Sequence, residues 1–436
     1  MTRRLAAAVF ALLALALGAP APALADAPGA HAVGVAQRSY VDETRPTPAN
    51  GECAEISSRT LATTVYYPAD GAPSGDALPD APPDQAHGPY PLVVFAHGFG
   101  ATPAAYAALL TQWASAGYVV AAPTFPLSSG ASPCGAIAGD VVNQPEDMSF
   151  LITSLIRAGK RDATLTGMVD KSAIGAAGHS NGAITTYGLV ANTKLRDPRV
   201  KAAVVLAGTA QKYPRGKYDF AKAPPLLIVH GVEDSLVPFA QAEDAFNAAR
   251  GPKGILVITG GDHGAPTTAA AYQATTDMFE AYLRGDDDAA ARLPGDDEAG
   301  VSEMTFVAEP GATQTIATLP RVVRNLEARV SPAKRLHDGD EVTVTWKGYT
   351  PGKAVSILQC NPSSRDLSNG AGCDYANAKL LQPNPTGEGS VTMTVVAGPV
   401  GDGICDADHP GCVIIVNNES SSDPTNSVIL DISFAR

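Results

Sequence analysis

The pentapeptide Gly178-His179-Ser180-Asn181-Gly182 constrains this chain more than any other stretch. It follows Ile174 to Ala177, a small-residue apolar run that reads as a buried strand, and precedes Ala183 onward, which reads as a helix. With 42 glycines in the chain the pattern alone is weak, so its setting decides its meaning. A strand that turns within one residue into a helix brings two backbones so close that a Cβ at either flank would clash, and the two glycines avoid this. The residue at the turn, Ser180, is then held in a strained conformation at the edge of a sheet with its hydroxyl free.

The surroundings match that demand. Residues 26–309 alternate short apolar runs with helical stretches. Strands are predicted at Thr60 to Tyr67, Pro91 to Ala96, Tyr118 to Ala122, Ser172 to Ala177, Val200 to Leu206, Pro225 to Val229 and Gly254 to Ile258. Helices are predicted at Pro103 to Ala116, Gln144 to Ala158, Asn181 to about Ala191 and Thr268 to Leu283. This is the pattern of an α/β domain with a mostly parallel sheet flanked by helices, whose loops gather at one end of the sheet where ligands bind. Gly285 to Gly300, rich in Asp, Ala and Gly, reads as a surface tail or linker with part of it open to packing on the α/β domain, and residues 310–325 as a linker. From residue 326 to 436 the pattern becomes short alternating segments broken by turn residues, among them Glu341 to Trp346, Ala354 to Leu358, Ser390 to Val396, Cys412 to Val416 and Val428 to Phe434. Regularly spaced short strands without a helical period predict a second, all-β sandwich domain.

A serine is a poor nucleophile until a base takes its proton, so a histidine and an acid should follow on later loops in the order Ser, acid, His. His230 and His263 are the histidines that follow Ser180 within the α/β region. His263 stands directly after the strand Gly254 to Ile258, where a loop carries it over the sheet, whereas His230 ends a strand and reads as structural. The acid belongs on the loop after the preceding strand, where Glu233 and Asp234 both stand. Asp262, adjacent to the base in sequence, can hardly reach its far nitrogen. Attack on a carbonyl makes an oxyanion, which needs preorganised N–H donors. The backbone N–H of Asn181, at the positive end of its helix, supplies one, and that of Phe99, in the loop His97-Gly98-Phe99-Gly100 after the strand Pro91 to Ala96, supplies the other.

With these pieces assembled, residues 60–284 resemble an α/β-hydrolase of the group holding dienelactone hydrolases, chlorophyllases, platelet-activating-factor acetylhydrolases and cutinases. The likeness rests on Val65-Tyr66-Tyr67-Pro68, the His97 to Gly100 loop, the strand-to-helix elbow Gly178 to Gly182, the Gly231 to Pro238 loop and Asp262-His263. The acid loop of that family, G-x-x-D-x-x-V-P, puts its aspartate on Asp234, and the resemblance implies a carboxylic ester hydrolase with the triad Ser180, Asp234 and His263. Where cutinase-like members usually carry Met after the serine, this chain has Asn181. The connection Gly208 to Ala223 is too short for a lid domain, which predicts an open site. The C-terminal stretch resembles the neocarzinostatin apoprotein family, an immunoglobulin-like sandwich, through Gly348-Tyr349-Thr350-Pro351-Gly352, Gln359-Cys360, Gly372-Cys373, Cys405 with Cys412 and the closing Ile432-Ser433-Phe434.

Compartment and partners follow from composition. Arg3 and Arg4, an apolar run to about Leu17 and the small-residue site Ala23-Leu24-Ala25 read as a secretory signal peptide over residues 1–25, so the protein is expected to be secreted, with no stable membrane insertion. Cleavage would take the net charge from −13 to −15, a balance that repels phosphate backbones and argues against nucleic acid as a partner. Six cysteines in an oxidising compartment are expected to form disulfides. Neighbourhood pairs Cys360 with Cys373 and Cys405 with Cys412 and leaves Cys53 for Cys134, one of fifteen possible connectivities. In the neocarzinostatin family two short disulfide loops staple the sandwich, which supports that pairing. The chain has no CxxC pair and no HExxH, so no metal and no cofactor are expected. The expected partner is a small-molecule or polymeric ester, with surface or polymer contact through the C-terminal domain. An acyltransferase or peptidase would use the same residues with a different attacking group, and a binding protein on a vestigial hydrolase fold is the reading from another class.

Overall fold

The computed structural model describes residues 31–158, 162–316, 326–349, 355–365, 372–381, 387–418 and 427–435. The expected signal peptide, residues 317–325 of the expected linker, and Thr350 to Gly352 of the sandwich motif lie outside them.

Ten strands make one sheet: β1 (Ala32–Asp42), β2 (Arg59–Ala69), β3 (Ala77–Pro79), β4 (Tyr90–Ala96), β5 (Val119–Thr124), β6 (Val169–His179), β7 (Val200–Leu206), β8 (Leu226–Gly231), β9 (Lys253–Ile258) and β10 (Ser302–Val307). Their order across the sheet is β10-β9-β8-β7-β6-β4-β5-β2-β1-β3. The block from β5 through β4 and β6 to β9 is parallel, while β2 joins β5, β1 joins β2 and β10 joins β9 antiparallel. The helices are α1 (Ala107–Ser115), α2 (Gln144–Ala158), α3 (Asn181–Ala191), α4 (Phe239–Ala248), α5 (Tyr272–Phe279) and α6 (Asp287–Arg292). Strand β4 is buried at every position, as required when helices cover both faces of a parallel sheet. Its alternate side chains feed two cores. Leu92 and Val94 join Leu151 and Ile152 of α2 and Phe246 of α4 on one face. Val93 and Phe95 join Leu109 and Trp113 of α1 and Phe279 of α5 on the other.

Helix α3 is buried along all eleven residues, with glycine at the close approach of Gly188. A Cβ on Gly188 would stand 2.6 Å from the Tyr213 hydroxyl and 2.7 Å from Pro145. Since β4 has β5 on one side and β6 on the other, the order reverses between β4 and β6. The loops leaving those two strands therefore flank the crevice in which α/β sheets hold ligands.

Several elements were not predicted from sequence: β1, β3, α4, α6 and β10. The acidic run at 286–288, within the stretch expected to be a surface tail or linker with part of it packing on the α/β domain, starts α6, with the Asp286 side chain accepting from the N–H groups of Asp288 and Ala289. Carboxylates are favourable at a helix N-terminus, so the run encodes a helix start as well as solubility. Just beyond it Leu293 is fully buried, and β10 covers the edge of β9 with Met304 and Val307 turned inward. Residues 311–316, expected in the linker, also lie on the hydrolase: Gly311 N–H donates to the Gly251 carbonyl at 2.7 Å, and Ile316 N–H to the Asn247 side chain at 3.0 Å.

The C-terminal region is all β. Strands β11 (Glu327–Ser331), β12 (Glu341–Lys347) and β15 (Gly389–Thr394) form one antiparallel sheet. Strands β13 (Val355–Cys360), β14 (Lys379–Leu381), β18 (Val413–Asn418) and β19 (Ser427–Asp431) form another, in the order β14-β13-β18-β19, and β16 (Gly398–Val400) pairs with β17 (Gly403–Cys405) as a ribbon. Strict alternation in β12 turns Val342, Val344 and Trp346 inward, where they meet Ile357, Ile414 and Val416 from the other sheet. Disulfides join Cys53 to Cys134, Cys360 to Cys373 and Cys405 to Cys412, the pairing expected from neighbourhood.

Candidate active site

The turn from β6 into α3 has the strain its sequence implied. Ser180 has φ 55° and ψ −120°, a region that L side chains rarely adopt, and its N–H is tied to the Leu206 carbonyl of β7 at 2.9 Å. A Cβ on Gly178 would lie 2.2 Å from the Gly182 carbonyl oxygen, and one on Gly182 only 1.9 Å from that of Ala96. Both flanking glycines are therefore obligatory for bringing β4, β6 and α3 together at this point.

The loops after β8 and β9 meet above the same end of the sheet. His263 Nδ1 lies 2.7 Å from Asp234 Oδ2. The other carboxylate oxygen, Oδ1, accepts from the N–H groups of Leu236 and Val237 at 2.9 and 2.8 Å. His230 Nε2 lies 2.8 Å from the Val237 carbonyl and 3.2 Å from Asp234 Oδ2, and so braces the acid loop. Burial alone would raise the Asp234 carboxyl, but hydrogen bonds from His230 and His263 outweigh it and hold the group well below the usual carboxylate range. It is ionised at neutral pH, as an acceptor for His263 Nδ1–H must be. The other two acidic candidates face elsewhere: Glu233 is exposed, and Asp262 is exposed with Oδ1 accepting from the N–H groups of Gly264 and Ala265 in its own turn.

These two loops are pinned to each other through their backbones. Val232 N–H donates to the Ile258 carbonyl at 3.1 Å and Glu233 N–H to that of Gly261 at 2.9 Å. A Cβ on Gly231 would stand 2.2 Å from the Gly261 carbonyl oxygen, so any side chain there drives the histidine loop away from the acid loop. Gly231→Ala is expected to lower kcat/KM for a p-nitrophenyl ester by about a hundredfold or more, since an error of roughly 1 Å at the reacting groups carries a loss of that order. Steady-state kinetics on folded protein check this, and activity within threefold of the unchanged chain would show that the loop spacing is tolerant.

The loop after β4 faces Ser180 from the opposite side; a Cβ on Gly98 would lie 3.3 Å from the Ser180 Cβ. The Gly98 peptide is fixed from both directions. Its N–H donates to the Tyr106 hydroxyl at 3.0 Å, and its carbonyl accepts from His97 Nδ1 at 2.7 Å. His97 Nε2 accepts from the Phe125 N–H, so the proton resides on Nδ1; burial pushes this imidazole down to about 4 and keeps it neutral. With the Gly98 carbonyl turned to His97, the N–H of the same peptide unit, that of Phe99, points the other way. Neither the Phe99 nor the Asn181 backbone N–H has an acceptor among the described residues. The loop is buttressed from outside by Gly100 N–H donating to the Ser128 carbonyl at 2.8 Å. Ser128 belongs to a buried chain in which Thr185 of α3 donates to Gln144 Oε1 and Gln144 Nε2 donates to Ser128 Oγ. Cys134, bonded to Cys53, staples the same 125–137 segment.

Sequence reasoning missed His179, Tyr106 and the brace from His230. His179 is a free position within the elbow pattern, and Tyr106 is one apolar residue at the start of a helix, so neither carries a signal of its own.

Comparison with known proteins gives three family matches. The Chlorophyllase family model matches residues 73–207, the Serine hydrolase (FSH1) model residues 162–275 and the Neocarzinostatin family model residues 328–434. Among solved structures, a ferulic acid esterase from Streptomyces cinnamoneus aligns with 22% identity and a TM-score of 0.48, covering 60% of this chain and 93% of its own. No curated protein matches the chain. Built on a ten-stranded, mostly parallel sheet and matched in turn by chlorophyllase and serine-hydrolase models, the first domain is a carboxylesterase-type serine hydrolase of the α/β-hydrolase fold, followed by a neocarzinostatin-family domain.

Proposed function

We propose that the chain is a secreted carboxylic ester hydrolase working through an acyl-enzyme on Ser180, with His263 as general base and Asp234 as the acid that orients it. The observation that carries this reading is the buried Asp234 carboxylate 2.7 Å from His263 Nδ1, on loops that converge with the strained Ser180 turn at one end of the sheet. With Nδ1–H donated to Asp234, His263 Nε2 is left as a base. Ser180 Oγ attacks the ester carbonyl carbon as its proton passes to Nε2. The oxygen that becomes negative is received by the N–H groups of Phe99 and Asn181, and the alcohol departs with the proton from Nε2. Water then attacks the acyl group, losing a proton to Nε2. The acid leaves, and Ser180 recovers its hydrogen. The bond broken first is acyl C–O of the ester, and the bond broken second is acyl C–O of the acyl-enzyme.

The substrate class follows from what surrounds the triad. Phe99, Val232 and Leu236 expose their apolar side chains on the loops that carry the oxyanion donor and the acid. The connection after β7 folds back on α3, with the Tyr213 hydroxyl donating to the Ile184 carbonyl. A site with an apolar rim suits the acyl or alcohol part of a hydrophobic ester. A fluorophosphonate probe tests the assignment: one adduct on Ser180 is the expected result, and a folded chain that does not react is a binding protein instead. Secretion is supported by the three disulfides. Among the described residues no helix is long and apolar enough to cross a membrane.

We further propose that the catalytic domain runs to Ile316, beyond residue 309, and that the sandwich begins near residue 326. A chain ending at 316 should hydrolyse p-nitrophenyl acetate within threefold of the full chain. One ending at 309 loses the contacts of Ile316 with Asn247, at the end of α4, and of Gly311 with Gly251 just beyond it, and should melt several degrees lower. A loss beyond about tenfold in the 316 chain, roughly 1.4 kcal/mol of transition-state stabilisation, would mean that the sandwich shapes the active site.

A further inference from the structure

We propose that His179 and Tyr106 are positioning residues that lock the oxyanion loop and the His263 loop in register across Ser180. A single chain of hydrogen bonds spans the site. Gly98 N–H lies 3.0 Å from the Tyr106 hydroxyl, that hydroxyl 3.0 Å from His179 Nδ1, and His179 Nε2 2.8 Å from the backbone carbonyl oxygen of His263. Every donor in it is fixed by elimination. The His263 carbonyl oxygen can only accept, so the neutral ring carries its proton on Nε2, and Nδ1 accepts from the Tyr106 hydroxyl, whose oxygen in turn accepts from Gly98 N–H. The three bonds then run in one direction, from Gly98 N–H to the tyrosine oxygen, from the tyrosine O–H to Nδ1, and from Nε2–H to the His263 carbonyl.

The chain works only with a neutral His179. Burial and the neighbouring His263 push that imidazole down to about 4, so it is neutral at neutral pH. His179 is 8% exposed and its ring lies 4.8 Å from that of His263, centroid to centroid. It is also covalently adjacent to Ser180. Side chains at this depth with all partners satisfied admit one arrangement, because breaking any bond strands a buried donor or acceptor. The consequence is geometric. The donors for the oxyanion, the nucleophile and the base sit on three separate loops, and this is a direct side-chain tie linking all three. The asparagine after the nucleophile and the acid loop are held by other contacts.

The inference rests on Ser180 and His263 acting as nucleophile and base, and its test separates the two. Fluorophosphonate labelling of the unchanged protein at Ser180 establishes the nucleophile; no adduct there overturns that assignment and this proposal with it. Given labelling, His179→Leu is expected to lower kcat for p-nitrophenyl acetate by about thirty- to a hundredfold, with KM within about twofold and labelling slowed in step. His179→Gln, which offers an acceptor and a donor in one planar group, should recover at least fivefold of that loss. Tyr106→Phe should lower kcat about tenfold alone, but less than twofold when added to His179→Leu, because one chain can be broken only once. A folded His179→Leu protein that labels and turns over within threefold of the unchanged chain overturns the proposal. So do effects of the two substitutions that multiply independently. Should His179→Leu fail to fold, Tyr106→Phe and His179→Gln decide: a Tyr106→Phe variant with unchanged kcat overturns it.

Discussion

Ser180→Ala is expected to reduce ester hydrolysis by about a millionfold, the scale on which removal of a serine nucleophile acts in serine hydrolases, while leaving the fold intact. The second half of that expectation comes from the backbone. At φ 55° the cost of the left-handed conformation is borne by the Cβ, and alanine keeps the Cβ. The alanine protein should therefore melt within about 2 °C of the unchanged chain. Ser180→Gly removes the Cβ as well, and relief of roughly 1 kcal/mol of strain should raise its melting temperature by about 2–4 °C in a domain of this size. Kinetics and thermal melts on the three proteins make the check. An alanine variant that retains measurable turnover on a purified, folded sample would remove Ser180 from the mechanism. A glycine variant no more stable than alanine would mean that the strain is absorbed elsewhere.

How far the sequence carried the reading depended on what kind of constraint each element answered to. The elbow was legible because its glycines answer to backbone contacts under 2.5 Å, which leave no other residue type possible. The parallel strands β4 to β9 were legible because burial on both faces writes a continuous apolar run. Strand β1, AVGVAQRSYVD, carries polar residues on its outer half, and β10, SEMTFV, follows an acidic run that looks like solvent, so both antiparallel strands on the margins of the sheet were passed over. Among the acids, residue type and position alone left Glu233 and Asp234 both open, and the choice of Asp234 came from the resemblance of the acid loop to its family. Glu233 and Asp234 have the same chemistry one residue apart, and the difference between them is burial, which depends on how Gly231 lets the histidine loop close over the turn. His179 stands further still from legibility: both of its partners are distant in sequence, and one of them is a backbone carbonyl that carries no residue identity.

The assignment of the acid yields the second large effect. Asp234→Asn is expected to lower kcat by about ten-thousandfold, whereas Glu233→Gln and Asp262→Asn should each stay within about threefold and tenfold of the unchanged chain. An asparagine at 234 can still accept from the Leu236 and Val237 N–H groups through its oxygen, so the loop keeps its turn. Its amide nitrogen then faces both imidazoles. His230 Nε2 keeps its bond to the Val237 carbonyl, but His263 Nδ1 meets a donor and must become an acceptor. The ring's proton moves to Nε2, the nitrogen that should take the proton from Ser180, and the base is lost without any movement of atoms. Loss of the carboxylate also removes the charge that supports the imidazolium formed during attack. Glu233 contributes to the site through its backbone N–H, which glutamine retains, and the Asp262 oxygen that caps its own turn has an equivalent in asparagine. The kcat values of the three variants on one soluble ester, with melting temperatures alongside, decide the matter. If Glu233→Gln is the damaging change and Asp234→Asn is benign, the buried pair at 2.7 Å is a structural contact and the orienting acid is the exposed one.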